Sequence, residues 1–150
     1  MLLSERNLGL LVGRARKTLR REFEARLVAT DLTVPQVAVL VSLWEEDGRT
    51  ISQLSSNLCS DGPTLTSLLD RMEAKGLIHR ERDVHDRRVI RIYLKEHGRA
   101  IQDEVMSAGD QVLSLAKKGM TQEQLDHLCD LLELLCSTME GVSENRTTHL

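Results

Sequence analysis

Three aromatic side chains in 150 residues, Phe23, Trp44 and Tyr93, are too few to build a stacking platform for unpaired bases. This excludes one mode of nucleic-acid binding and leaves duplex contact open, because reading a duplex through its grooves needs no stacking. Cysteine is scarce too. Cys59, Cys129 and Cys136 are odd in number and lack Cys-x-x-Cys spacing, so they make neither a disulfide framework nor a recognisable zinc site. His127 beside Cys129, and His79, His85 and His97 further upstream, match no closed ligand spacing, so no metal and no cofactor are expected. A cysteine nucleophile would need a paired histidine base, and no such constellation points to an enzyme. No apolar run approaches the roughly 20 residues that span a bilayer. The N-terminus lacks the apolar core and cleavage site of a signal peptide, so a cytoplasmic protein is expected. Internal repeats and low-complexity segments are also missing.

What is present is a 41% apolar chain of a length that suits one domain with a real core, with a smaller lobe attached at most. The net charge of −3 argues against an anionic partner only if charge is evenly spread. It is strongly segregated. Residues 1–30 carry seven bases against three acids, residues 71–99 nine against five, and residues 101–150 three against nine. Two basic zones and an acidic tail fit a localised anionic partner, the alternative being a set of solvated helix faces.

In chain order, Leu8, Leu11, Val12, Ala15, Leu19, Phe23 and Leu27 trace an apolar stripe on a long helix over residues 5–29, with Ser4 as its cap. Thr33-Val34-Pro35-Gln36 is a capping box that opens a second helix through Val37, Leu40, Val41 and Trp44, closed by Gly48. Thr50-Ile51-Ser52-Gln53 repeats the pattern before a short helix to Leu58 and a tight turn over 59–62. A further helix follows over about 63–75. Its Leu65, Leu68, Leu69 and Met72 fall at helical spacing as a buried stripe, while Pro63, Thr66, Ser67 and Asp70 project from the opposite side with Arg71 on the flank. Gly76 stops it. The pair Leu77-Ile78, the charged loop 79–88 and the alternating run Val89 to Leu94 then read as a β-hairpin with arginines at its tip. Two helices joined by a tight turn and followed by a hairpin make a winged helix-turn-helix.

A helix over 97–118 follows, with Ile101, Val105, Met106, Val112 and Leu115 apolar and Gly109 weakening its middle. Thr121 to Gln124 caps the last helix. There Leu125, Leu128, Leu131, Leu132, Leu135 and Met139 form an apolar face too broad for one intramolecular contact. The fold class is therefore mainly α with a small antiparallel β wing and long N- and C-terminal helices. Residues 33–96 form the winged-helix lobe, residues 1–32 with 97–142 a helical dimerisation lobe, and 143–150 a frayed tail.

This order resembles the MarR family of bacterial transcriptional regulators over nearly the whole chain. The segments that carry the likeness are Leu32-Thr33 with Gln36, LLDRMEAKGLIHR over 68–80, Asp86-Arg87-Arg88, and the placement of Gly98. The resemblance implies a homodimeric, non-enzymatic DNA-binding regulator, a repressor, that grips a near-palindromic duplex operator. A winged-helix interaction module that has lost DNA binding is the competing reading.

The DNA contacts then fall on Pro63, Thr64, Thr66, Ser67, Asp70, Arg71, Asp86, Arg87 and Arg88. A helix N-terminus carrying Thr64, Thr66 and Ser67 offers hydroxyls and N–H groups to phosphates and methyls to thymine, and a wing arginine suits a narrow minor groove. The family's wing arginine matches Arg88, with Asp86 as its orienting partner unless Asp86 simply caps the turn. Asp70 faces phosphates unfavourably, so it is expected to hold an arginine of the wing or the helix. Leu8, Leu11, Leu125, Leu128, Leu132 and Leu135 are expected at the dimer interface. The family resemblance further implies a small aromatic or anionic effector, or an oxidant signal. Cys59, just ahead of the reading helix, is the candidate redox sensor, and an inert half-buried thiol is the competing reading. Cys129 and Cys136, about 10 Å apart along one helix face, cannot bridge within that helix and suit interface packing.

Three positions depart from the family pattern: Ser67 replaces a frequent arginine, Lys95 a usual threonine, and Ser60 a usual aliphatic residue. The first removes a bidentate guanine contact and moves the weight of recognition toward the wing. Arg88→Ala is accordingly expected to cost more operator affinity than Ser67→Ala in a fluorescence-anisotropy titration, and the reverse order would return primacy to the helix.

Overall fold

A computed structural model describes residues 7–58 and 62–147. The elements in order are α1 (Leu8–Leu27), a 3₁₀ turn (Val28–Thr30), α2 (Val34–Glu45), β1 (Arg49–Thr50), α3 (Ile51–Leu58) and α4 (Gly62–Ala74). They continue with β2 (Ile78–Arg82), β3 (Ile90–Leu94), α5 (Glu96–Ala100), α6 (Gln102–Ala116) and α7 (Gln122–Thr147). The chain divides into two compact units, Met1–Gly109 and Asp110–Leu150, considered separately below.

In the first unit, capping chemistry starts the helices where the sequence places them. Gln36 Oε1 accepts from the Thr33 N–H at 3.0 Å, and Gln53 Oε1 accepts from the Thr50 N–H at 2.8 Å while Thr50 Oγ1 accepts from Gln53 N–H at 3.1 Å. The first helix differs. It begins at Leu8, where Asn7 Oδ1 accepts from the Leu10 N–H at 3.2 Å, and the expected cap Ser4 lies outside the described residues.

The stripe of α4 is buried as its spacing requires: Leu65, Leu68, Leu69 and Met72 join Leu40, Leu43, Leu54, Leu77, Ile78 and Ile92 in one core. That core also takes in Leu27 at the end of α1 and Ile101, Val105 and Ala108 beyond the hairpin. Val41, expected to face inward, is exposed, and Val39 is fully buried in its place.

The sheet is antiparallel in the order β1-β3-β2. Two residues of β1, Arg49 and Thr50, pair with Ile92 and Arg91, a strand too short to leave a periodic signal in sequence. The hairpin strand β2 runs on to Arg82, so four residues expected in the loop are paired instead: His79↔Tyr93, Arg80↔Ile92, Glu81↔Arg91 and Arg82↔Ile90. Their charged side chains conceal the strand because β2 is an edge strand with a wet face.

The closing turn of α4 is a Schellman motif. Gly76 adopts φ +70°, its N–H donates to Glu73 O at 3.0 Å, and the Leu77 N–H reaches back to Met72 O at 3.0 Å. Where α5 crosses the hairpin base, Trp44 Nε1 donates to Gly98 O at 2.9 Å and Lys95 N–H to Leu77 O at 2.9 Å. Asp47 ties the same corner, accepting from the Leu94 N–H at 2.9 Å and pairing with Arg99 at 2.6 Å. The single helix expected over 97–118 is divided at Ile101, where ψ is −3°, rather than weakened at Gly109, and Ile101 is buried against the core. Met106, expected inward, is exposed, and Ala108 is buried instead.

In the second unit, Thr121 and Gln124 close the third capping box at 2.9 and 3.2 Å. α7 continues to Thr147, past Ser143 where fraying was expected. Leu128, Leu131, Leu132, Leu134 and Met139 are exposed along it, and Leu125 and Leu135 half-buried. Among the described residues no single helix is long and apolar enough to cross a membrane.

Gly98 is where backbone contact sets the residue type. A Cβ there would lie 2.2 Å from the carbonyl oxygen of Leu77, which already accepts from Lys95. Gly98→Ala is expected to lower the unfolding free energy by about 1–3 kcal/mol. Urea denaturation of the variant checks this, and an unshifted midpoint would show that α5 yields freely.

Candidate nucleic-acid interface

Burying one stripe of α4 leaves its other face in solvent, and Pro63, Thr64, Thr66, Ser67, Asp70 and Arg71 are all exposed there. The Thr66 hydroxyl donates to Gly62 O at 2.9 Å, which commits its proton within the helix. Thr66 therefore offers a methyl and an acceptor rather than the donor expected from its residue type. Cys59 and Ser60, the candidate sensor and the departing turn residue, lie outside the described residues.

The wing tip is built by two aspartates. Asp83 Oδ1 accepts from the N–H groups of His85 at 2.8 Å and Asp86 at 3.0 Å, and Asp86 Oδ1 accepts from the Arg88 N–H at 3.0 Å. Asp86 thus orients Arg88 through its backbone, not through its guanidinium. The turn-capping alternative is the one the geometry supports. Asp83 Oδ2 pairs with Arg91 Nε, and Arg91 Nη1 donates to Gly48 O at 2.9 Å, so the tip is latched to the turn before β1. The bond from Arg91, then the amides of Asp86 and His85, hold the Asp83 carboxyl far below its ordinary range, and Asp83 raises Arg91 in return.

These contacts sort the arginines of the basic zone into two sets. Arg80 pairs with Asp70 at 2.7 Å and Glu73 at 2.6 Å, Arg91 with Asp83, and Arg99 with Asp47. The Arg71, Arg82, Arg87 and Arg88 side chains are exposed and, among the described residues, enter no ion pair. Two cationic places result, one on the outer face of α4 and one at the wing tip, both suited to phosphate. Asp70 meets its expected arginine, and that arginine stands on β2 of the wing hairpin.

Arg80, Glu73, Asp83 and Arg91 were missed in sequence. Local sequence carried no signal for them: Arg80 engages carboxylates on α4, and Arg91 stands across from Glu81 in the sheet yet pairs with Asp83 beyond the end of β2. Between the start of α3 and the wing root, a shallow cleft of about 330 Å³ is lined by Thr50, Ile51, Ser52, Arg88, Val89 and Ile90. Among the described residues no group of three or more His, Cys, Asp or Glu side chains converges on a metal position.

Residues 32–90 match the MarR family. The HTH-type transcriptional regulator TtmR of Methylorubrum extorquens is 38% identical over 117 residues, 78% of this chain, and the chain spans 57% of that relative's length. The organic hydroperoxide resistance transcriptional regulator of Bacillus subtilis is 30% identical over 135 residues, 90% of each protein. Among solved structures, a mutant MarR from E. coli complexed with operator DNA superposes with a TM-score of 0.80 at 27% identity, covering 85% of this chain and 92% of that one.

The Asp83 latch has a pH signature. A carboxyl depressed in the folded state contributes stability that is complete above its ordinary value of 3.8 and is lost as pH falls through the lower folded value. An NMR titration should therefore find the Asp83 side-chain carboxyl shift steady through the ordinary carboxylate range and moving only in stronger acid. A midpoint at the ordinary value would show that the Arg91 pair does not form in solution.

Proposed function

The chain belongs to the MarR family of winged-helix transcriptional regulators, and from that premise we propose that it acts as a homodimeric repressor on a near-palindromic operator. The observation that carries this reading is the sorting of the arginines. Among the described residues Arg71 on α4, Arg87 and Arg88 at the wing tip and Arg82 at the end of β2 enter no ion pair, while Arg80, Arg91 and Arg99 are neutralised. A recognition helix with hydroxyl, methyl and cationic groups enters a major groove, and a rigid arginine tip reaches the adjoining minor groove. Pro63, Thr64, Thr66, Ser67 and Arg71 form the helix contact. Arg87 and Arg88 form the wing contact, placed by Asp86, while Asp70 acts through Arg80. Solved relatives support the DNA partner, since one is held on operator DNA.

Two half-sites about one helical turn apart call for a twofold dimer. Exposed leucines supply the surface: Leu8 and Leu11 on α1, and Leu128 and Leu132 with half-buried Leu125 and Leu135 on α7. Residues 1–32 with 97–142 then serve as the dimerisation lobe. Release of the operator follows a small aromatic or anionic effector or an oxidant. The relative named for organic hydroperoxide resistance favours the oxidant. A cytoplasmic location follows from the operator.

Binding to DNA selected from the protein's own genome tests this. The reading expects affinity to fall steeply with salt, by about 10³–10⁵ between 50 and 200 mM if six or more phosphates are neutralised per dimer. It also expects Leu128→Glu with Leu132→Glu to yield monomers with weakened operator affinity in analytical ultracentrifugation and anisotropy. A protein that selects no sequence at any salt would instead be an interaction module.

A further inference from the structure

The recognition helix and the wing meet through one side chain. Arg80 stands on edge strand β2, and its guanidinium lies along three successive positions of α4. Nη2 donates to Thr66 O at 3.4 Å and to Asp70 Oδ1 at 2.7 Å, and Nη1 donates to Glu73 Oε2 at 2.6 Å. The other Glu73 oxygen accepts from the Arg80 backbone N–H at 3.2 Å, which satisfies a donor on the open side of the strand. Residues 66, 70 and 73 follow one line down the helix, so the fork spans about two turns. The Arg80 side chain is 21% exposed.

We propose that Arg80 is a positioning residue for DNA recognition: it fixes the rotation of α4 against the wing hairpin and contacts no phosphate itself. The proposal rests on the operator-binding reading above and deepens it. Charge supports the second half, because two carboxylates face one guanidinium and the cluster offers no net cation to DNA. Geometry supports the first. The apolar stripe of α4 sets how deeply the helix is buried, but apolar contacts are non-directional. A planar fork bonded at three points along the helix is directional, and the single ammonium of lysine cannot reproduce it. Arg71 on α4 and the arginine pair on the wing then keep one fixed spacing, which two grooves must match.

The test uses the full chain and its selected operator duplex, comparing the parent with Arg80→Met, Arg80→Lys and Arg87→Met across a salt series. Arg80→Met and Arg80→Lys should each weaken binding roughly tenfold while leaving the slope of log K against log salt unchanged. Arg87→Met, a direct phosphate contact in this reading, should flatten that slope by about 0.9 for each protomer. Without DNA, Arg80→Met should speed amide exchange in β2 and the last two turns of α4 but not in α2. If Arg80→Met does not fold, Asp70→Ala and Glu73→Ala each remove one acceptor of the fork and carry the same measurements. A flattened slope in the Arg80 variants would overturn the proposal by making Arg80 a phosphate ligand. Unchanged affinity at every salt, or unchanged exchange in β2 and α4, would overturn it as well. Failure of the parent to select any operator would count against the regulatory reading, and the exchange experiment still decides the clamp.

Discussion

A helix thirteen residues long can bury one face and no more, and the rest of this molecule follows from which face α4 buries. Leu65, Leu68, Leu69 and Met72 are each worth about 1.5–3 kcal/mol of burial, far more than the ~0.2–1 kcal/mol of a surface ion pair. Packing therefore decides where the helix lies. Its polar face is left outward as a consequence, and the hydroxyls, the aspartate and Arg71 arrive together on a surface that no local preference would have gathered. The neighbouring elements are arranged to keep that stripe covered: α2 and α3 from one side, Leu77, Ile78 and Ile92 of the hairpin from another.

Ion pairs, weak as stabilisers, do a different job here. The carboxylates of Asp47, Asp70, Glu73 and Asp83 together remove three arginines, Arg99, Arg80 and Arg91, from the pool available to a polyanion and commit them to orientation. Asp47 with Arg99 ties α5 to the turn after α2, Asp83 with Arg91 sets the wing tip, and Asp70 with Glu73 takes Arg80. The loss in Coulomb attraction to DNA is real, but surface charges are screened beyond about 8 Å at physiological salt. A few well-placed cations outweigh many diffuse ones under those conditions, because only groups within contact distance displace counterions.

Most of the fold was legible in the sequence because it rests on two strong local signals. Apolar spacing located α1, α2, α4 and α7, and three capping boxes marked starts at Thr33, Thr50 and Thr121, all of which form their hydrogen bonds. The candidate surface was legible for the same reason, as the complement of the α4 stripe. What escaped was non-local. Whether Arg80 or Arg88 is paired depends on which side chains of α4 and the hairpin meet in three dimensions, which a run of charged residues on an edge strand does not reveal. The division at Ile101 left no local signal in sequence, while Gly109, the residue with the weaker helix preference, is accommodated inside α6 without interruption. Gly98 carried a positional signal whose cause, the Leu77 carbonyl at the crossing, appears only in three dimensions.

Charge segregation gives this arrangement its selectivity. A protein with a net charge of −3 is not drawn to DNA as a whole, and residues 101–150 alone hold nine acids against three bases. Positive charge is concentrated in residues 1–30 and in the zone of α4 and the wing, and in the latter the arginines outside ion pairs are the ones left to attract a polyanion. Such a surface gains little from approaching a duplex in the wrong orientation, since the paired arginines present carboxylates beside their cations. It gains fully only when helix and tip meet their grooves together, so the fixed spacing of the two sites converts a non-specific attraction into a requirement on duplex shape. In the proposed mode of binding, rigidity at Arg80 and Asp83 serves recognition although neither side chain touches the DNA.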